Sequence, residues 1–117
     1  MNTIADRLAS LPQSLRAELL GGMSADALAA LPYAWRLWAR PEQLAPPGRW
    51  RVWFYLGGRG SGKTRAMAEH IRGEVMSGRR RSIGIIGPTM EAVRRVMIEG
   101  PSGILLYRPR ASVRHTR

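Results

Sequence analysis

Apolar positions in the first third of the chain recur at three- and four-residue intervals, the spacing of helices with one buried face. Ile4, Leu8 and Leu11 share a face behind Thr3 and Asp6, a pair spaced as a capping box. Pro12 suits the opening of a second helix, and Gly21-Gly22 ends it. Ser24 is placed to cap a third helix carrying Leu28 and Leu31, which Pro32 stops. Tyr33 to Arg40 makes a fourth, with Trp35 and Trp38 three residues apart. That aromatic pair suits packing; a stacking platform for bases is the alternative. Residues 1–40 are therefore expected to form a helical arm, and the proline-rich connector PEQLAPPGRW, 41–50, to separate it from a second unit over 51–107.

Beyond the connector the pattern changes. Val52, Trp53, Phe54, Tyr55 and Leu56 form an unbroken apolar, aromatic and β-branched run, which predicts a strand covered on both faces. A glycine-rich turn follows. A helix is predicted from Lys63 to about Ser77, with Met67, Ile71 and Val75 at four-residue steps and Gly78 just past its end. Ser82 to Ile86 predicts a second strand, Thr89 the cap of a helix through Val93, Val96 and Met97, and Gly100-Pro101 its break; Ile104 to Tyr107 suits the start of a third strand. The order strand, turn, helix, strand, helix, strand predicts an α/β fold, a partial parallel sheet of two to three strands preceded by the helical arm.

Composition sharpens this picture in two places. With 117 residues, 44% of them hydrophobic, the chain has the apolar content of a folded protein, enough for one small domain or part of a larger one. It has no cysteine, which excludes disulfides and thiolate metal sites, and no apolar run of membrane-spanning length. The N-terminus lacks the pattern of a signal peptide, and the expected location is the cytoplasm. Charge is unevenly spread. Residues 1–50 carry five arginines against four acids, while 51–117 carry fourteen basic residues against four acids. A half with net charge +10 attracts polyanions, whether nucleic acid or nucleotide phosphates.

The glycine-rich turn carries the chemistry. Gly57-Gly58-Arg59-Gly60-Ser61-Gly62-Lys63-Thr64 matches G-x-x-x-x-G-K-[ST], the phosphate-binding loop. Glycines let backbone N–H groups converge on an anion, and the helix beginning at Lys63 turns the positive end of its dipole toward the same point. Lys63 is the only lysine in a chain with eighteen arginines. A compact ammonium on a flexible stem reaches between phosphates where a planar guanidinium fits poorly. Thr64 is placed to offer a hydroxyl to Mg²⁺. Arg59 reads either as a solvated turn residue or as a charge clamp on the terminal phosphate. A dinucleotide loop would need glycine where Lys63 stands, so that reading fails. His70 reads as structural. Expected ligands are ATP and Mg²⁺.

The stretch LWARPEQLAPPGRWRVWFYLGGRGSGKTRA, followed by IGIIGPT and VMIEGPSGIL, resembles the N-terminal ATPase region of the large terminase subunit of tailed phages, prophages and gene-transfer agents. The resemblance covers roughly residues 33–106. It implies an ATP-driven motor that packages double-stranded DNA into a procapsid, working with the portal and a small terminase subunit in a bacterial host. It further implies a catalytic role for Arg59 beside Lys63, and adenine recognition by the amide of Gln43. The Gly87-Pro88-Thr89 segment would couple nucleotide state to movement.

The sequence also departs from that family. Hydrolysis requires an apolar strand ending in acids that hold Mg²⁺ and orient water. Both aspartates, Asp6 and Asp26, precede the loop, and none of Glu69, Glu74, Glu91 and Glu99 ends an apolar run. No nuclease region follows. The tail YRPRASVRHTR reads as a truncated or frameshifted end, disordered over 108–117. Nucleotide binding with little or no turnover is the expectation. A fragment of another nucleotide-hydrolysing family, helicase-like or kinase-like, stays open, as does a basic DNA-binding module that is not an enzyme.

Overall fold

The computed structural model describes residues 3–105. The chain divides into two compact units between Leu56 and Gly57, so the connector 41–50 lies within the first unit. No helix among the described residues is long and apolar enough to cross a membrane.

The first unit is a chain of short helices ended by the residues that local physics selects. Helix α1 spans Ile4–Ala9, α2 Gln13–Gly21, α3 Ala25–Ala30 and α4 the single turn Trp35–Trp38. At α1 the capping box forms in full. The Asp6 N–H donates to Thr3 Oγ1 at 3.0 Å, and the Thr3 N–H donates to Asp6 Oδ2 at 3.1 Å. Ser24 caps α3 by accepting from the Ala27 N–H at 3.2 Å. Gly22 closes α2, its N–H donating back to Glu18 O at 3.1 Å. Pro32 stands in a 3₁₀ turn over Leu31–Tyr33, and Pro41 opens another over Pro41–Gln43. Helix α1 packs against α4. The Trp38 indole N–H donates to Leu31 O at 2.8 Å, tying α4 to the preceding turn. Trp50, Trp53 and Tyr55 meet edge to face, with centroids 6.2 and 6.3 Å apart.

The second unit is built on α5, Lys63–Met76, the one helix of fourteen residues. Helix α6, Met90–Ala92, is capped by Thr89 Oγ1, which accepts from the Ala92 N–H at 3.0 Å. It runs on without a break into a π-helical turn, Val93–Ile98, that packs against α5. Three glycines let the segments on either side of the π turn lie against it. A Cβ on Gly87 would stand 2.7 Å from Val93 Cγ2, and Cβ atoms on Gly100 and Gly103 would collide with the carbonyls of the π turn.

The expected parallel sheet does not form, and the α/β assignment is corrected: the described residues are helical, with no strand and no sheet. Residues 52–56 and 82–86 are extended, as their composition favours, but they build no ladder. A strand covered on both faces needs neighbours along its edges and layers above and below. Here Val52, Phe54 and Leu56 are 77–80% exposed and Ile86 is 93% exposed. The two runs also fall in different units. Ile104 and Leu105 lie in a turn, and the remainder of the expected third strand falls outside the described residues, as does the tail 108–117.

Burial is thin throughout. The buried apolar residues are Ala39, Ala66, Ala68 and Val93, and among the described residues no large side chain is fully enclosed. The stripe expected to face the core of α5 is only partly covered, with Met67 and Ile71 half-buried and Val75 49% exposed. Much of the order is therefore held by caps and ion pairs.

One such pair sets a pH dependence. At the end of α5, Arg79 donates to the Glu74 carboxylate at 2.8 and 3.0 Å, and this bond holds the Glu74 carboxyl below its ordinary value of 4.5. A carboxyl depressed on folding adds stability above its unfolded pKa, and that contribution is lost as pH falls through the lower folded value. The turn through Gly78 should thus stay closed at neutral pH and open on acidification below 4.5. Protection of the Ser77 and Gly78 amides, relative to an unstructured peptide at the same pH, should fall across that window, and Arg79→Gln should flatten the dependence. An unchanged profile in the variant would show that Glu74 is not the titrating group.

Candidate functional site

The glycine-rich segment folds into the bend its sequence requires. Gly60 and Gly62 have φ of +77° and +81°, left-handed values that side-chain-bearing residues rarely adopt. Between them the Ser61 N–H donates to Gly58 O at 3.3 Å. Gly62 is the N-cap of α5, and the first intrahelical bond runs from the Ala66 N–H to Gly62 O at 2.9 Å. The N–H groups of Lys63, Thr64 and Arg65 thus stand ahead of the helical ladder, at the positive end of a helix nearly four turns long.

Lys63 does not extend into solvent away from this bend. Its ammonium turns back onto the loop, donating to Gly57 O at 2.5 Å, Gly58 O at 2.6 Å and Ser61 Oγ at 3.2 Å. An ammonium carries three protons, and each has an acceptor here. The arrangement fixes a positive charge against the loop while the side chain remains exposed. Thr64, next in the chain, is half-buried in the first turn of α5. Arg59 is exposed on the loop and forms no ion pair with a described residue.

The acids of this unit are otherwise occupied. Glu69, 8% exposed, takes two arginines on one oxygen, Arg65 Nε at 2.9 Å and Arg72 Nη1 at 2.7 Å. Arg72 also donates from Nη2 to Ile104 O at 2.6 Å, linking α5 to the turn that follows the π helix. Glu74 pairs with Arg79 and Arg80, Glu91 with Arg95 at 3.3 Å, and Glu99 with Arg94 at 3.6 Å. All four carboxylates that follow the loop are therefore bound to guanidinium groups. Among the described residues no group of three or more His, Cys, Asp or Glu is positioned to hold a metal ion.

Gln43 lies in the first unit and the loop in the second. Its side chain is buried, and Oε1 accepts the Arg40 N–H at 3.0 Å, closing the 3₁₀ turn it belongs to. The amide oxygen of Gln43 is thus engaged by the backbone of its own turn.

Two features were not singled out in the sequence. The spacing Arg65, Glu69, Arg72 places all three on one helical face and was a readable signal for the buried ion pair. The contact between Lys63 and Ser61 had no such signal, because it depends on how the loop bends. The donor set suits a polyphosphate: a held ammonium, N–H groups at a helix start and two left-handed glycines. For Mg²⁺ it supplies the Thr64 hydroxyl alone, which fits an ion that arrives on the phosphates and keeps most of its water. No family model, curated protein or solved structure matches the chain.

Proposed function

We infer that residues 57–64 bind the phosphates of a nucleoside triphosphate, ATP with Mg²⁺, and that the chain binds without turning over. The observation that supports this most is the Lys63 ammonium held at the mouth of a glycine bend, beside the leading amides of α5. Phosphate oxygens would meet that ammonium and those N–H groups. Thr64 would touch the metal ion carried on the phosphates, and exposed Arg59 would add a second positive charge. Adenine recognition by the Gln43 amide rests on the sequence resemblance alone.

The reading that the chain binds without turnover is supported by the carboxylates. Orienting a water for attack takes an anionic oxygen facing the terminal phosphate. Glu69, Glu74, Glu91 and Glu99 are each committed to arginines. The wider assignment, an N-terminal piece of a DNA-packaging terminase large subunit, is supported by the sequence resemblance over residues 33–106. In an intact protein of that kind, double-stranded DNA, the procapsid portal and the small terminase subunit would be the partners.

Titration of the purified chain with ATP and Mg²⁺, with inorganic triphosphate and with adenosine tests the reading. ATP and triphosphate should bind saturably and with similar affinity, adenosine should not bind, and phosphate release should stay at the uncatalysed background. Equal binding of adenosine and ATP, or no binding of either anion at millimolar concentration, would overturn it. Phosphate release that depends on Lys63 would overturn the non-catalytic part.

A further inference from the structure

The three acceptors of the Lys63 ammonium are not equivalent. Gly57 O and Gly58 O, at 2.5 and 2.6 Å, are backbone carbonyls, and they cannot withdraw without refolding the bend. Ser61 Oγ, at 3.2 Å, is the longest contact and sits on a side chain that turns about one bond. We propose that the Ser61 hydroxyl is an internal stand-in for a ligand oxygen: it holds the third proton of Lys63, a phosphate oxygen displaces it, and residue 61 thereby sets the affinity of the loop for polyphosphate. This deepens the polyphosphate reading of residues 57–64 and rests on it.

The exchange follows from donor count and acceptor strength. With three protons and three acceptors, the ammonium takes on a new oxygen only by releasing one it already holds. An anionic phosphate oxygen is a stronger acceptor than a neutral hydroxyl, so the exchange is favourable once the anion arrives. The contact that yields is the longest of the three and the one made by a side chain. Ser61 therefore works as a competitor within the loop, satisfying Lys63 in the absence of anion and leaving when one binds. Its backbone N–H stays on Gly58 O, so the bend survives the exchange.

Because Lys63 is the only lysine, its Nζ gives a single side-chain ammonium resonance in ¹⁵N-labelled protein. Inorganic triphosphate is titrated into the full chain and into the Ser61→Ala and Ser61→Thr variants while that resonance is followed. Ser61→Ala should bind on the order of three-fold more tightly, the worth of one weak neutral acceptor removed from the competition. Before any triphosphate is added, its Lys63 resonance should already differ from the parent and exchange protons with water faster. Ser61→Thr keeps a hydroxyl and should follow the parent in both respects. A Ser61→Ala variant that binds as the parent does, or more weakly, while its Lys63 resonance still responds to triphosphate, would overturn the stand-in role alone. A parent resonance that ignores triphosphate would overturn the polyphosphate reading and the stand-in with it.

Discussion

Replacing Lys63 with alanine is expected to weaken triphosphate binding roughly 10- to 100-fold, the worth of one charge-assisted contact of about 1.5–3 kcal/mol. The ammonium is placed by Gly57 O and Gly58 O, at 2.5 and 2.6 Å, so its charge is already positioned when the anion arrives. Truncation removes that charge and frees two carbonyls whose negative ends then face the phosphates. The loss should therefore lie toward the upper end of the range. Lys63→Arg should not restore binding, because a planar fork cannot direct protons to two adjacent carbonyls and a phosphate at once. Calorimetric titration measures both variants, with circular dichroism confirming that helix content is retained. An alanine variant that binds triphosphate as the parent does would remove Lys63 from the site.

The second large effect concerns Gly103. A Cβ there would lie 2.5 Å from Ile98 O, 2.7 Å from Ile98 C and 3.0 Å from Gly100 N. All three are backbone atoms, so no side-chain rotation relieves the contact. Gly103→Ala must instead push the closing turn away from the π-helical segment. That turn carries the Ile104 N–H on Met97 O and the Leu105 N–H on Ile98 O, both at 3.0 Å, and it presents Ile104 O to Arg72. Overpacking of this kind costs about 1–3 kcal/mol. Hydrogen exchange at the Ile104 and Leu105 amides should accelerate roughly 5- to 150-fold, the equivalent of that cost. Gly84→Ala is the control, since a Cβ there meets nothing within 4 Å. If Gly103→Ala kept both amides as protected as Gly84→Ala does, the turn would not be packed as described.

The parts of this protein that could be read from its residues are those governed by near neighbours. Thr3 with Asp6, Ser24 and Thr89 each cap the helix they precede, because a side-chain oxygen finds an N–H two or three residues along whatever the rest of the chain does. The start of α5 at Lys63 and the left-handed Gly78 beyond its end were legible for the same reason. So was the bend at Gly60 and Gly62.

The misread parts depended on distant partners. Val52 to Leu56 and Ser82 to Ile86 have strand-like composition, yet composition measures how well a residue suits a covered pleated surface, not whether that surface exists. Likewise the stripe Met67, Ile71, Val75 marked one face of α5, while the buried positions are Ala66, Ala68 and Glu69, the last admitted by two arginines.

By itself the sequence determined the helix ends, the glycine bend, the placement of one ammonium beside it and the excess of positive charge, since all of these follow from contacts a few residues apart or from composition alone. Only the tertiary structure decided that the apolar runs build no ladder among the described residues, that Arg72 reaches Ile104 O, and that Ser61 rather than solvent takes the third proton of Lys63. Pairing, burial and the choice among competing acceptors are set by which groups meet in space, and near-neighbour preferences do not encode those meetings.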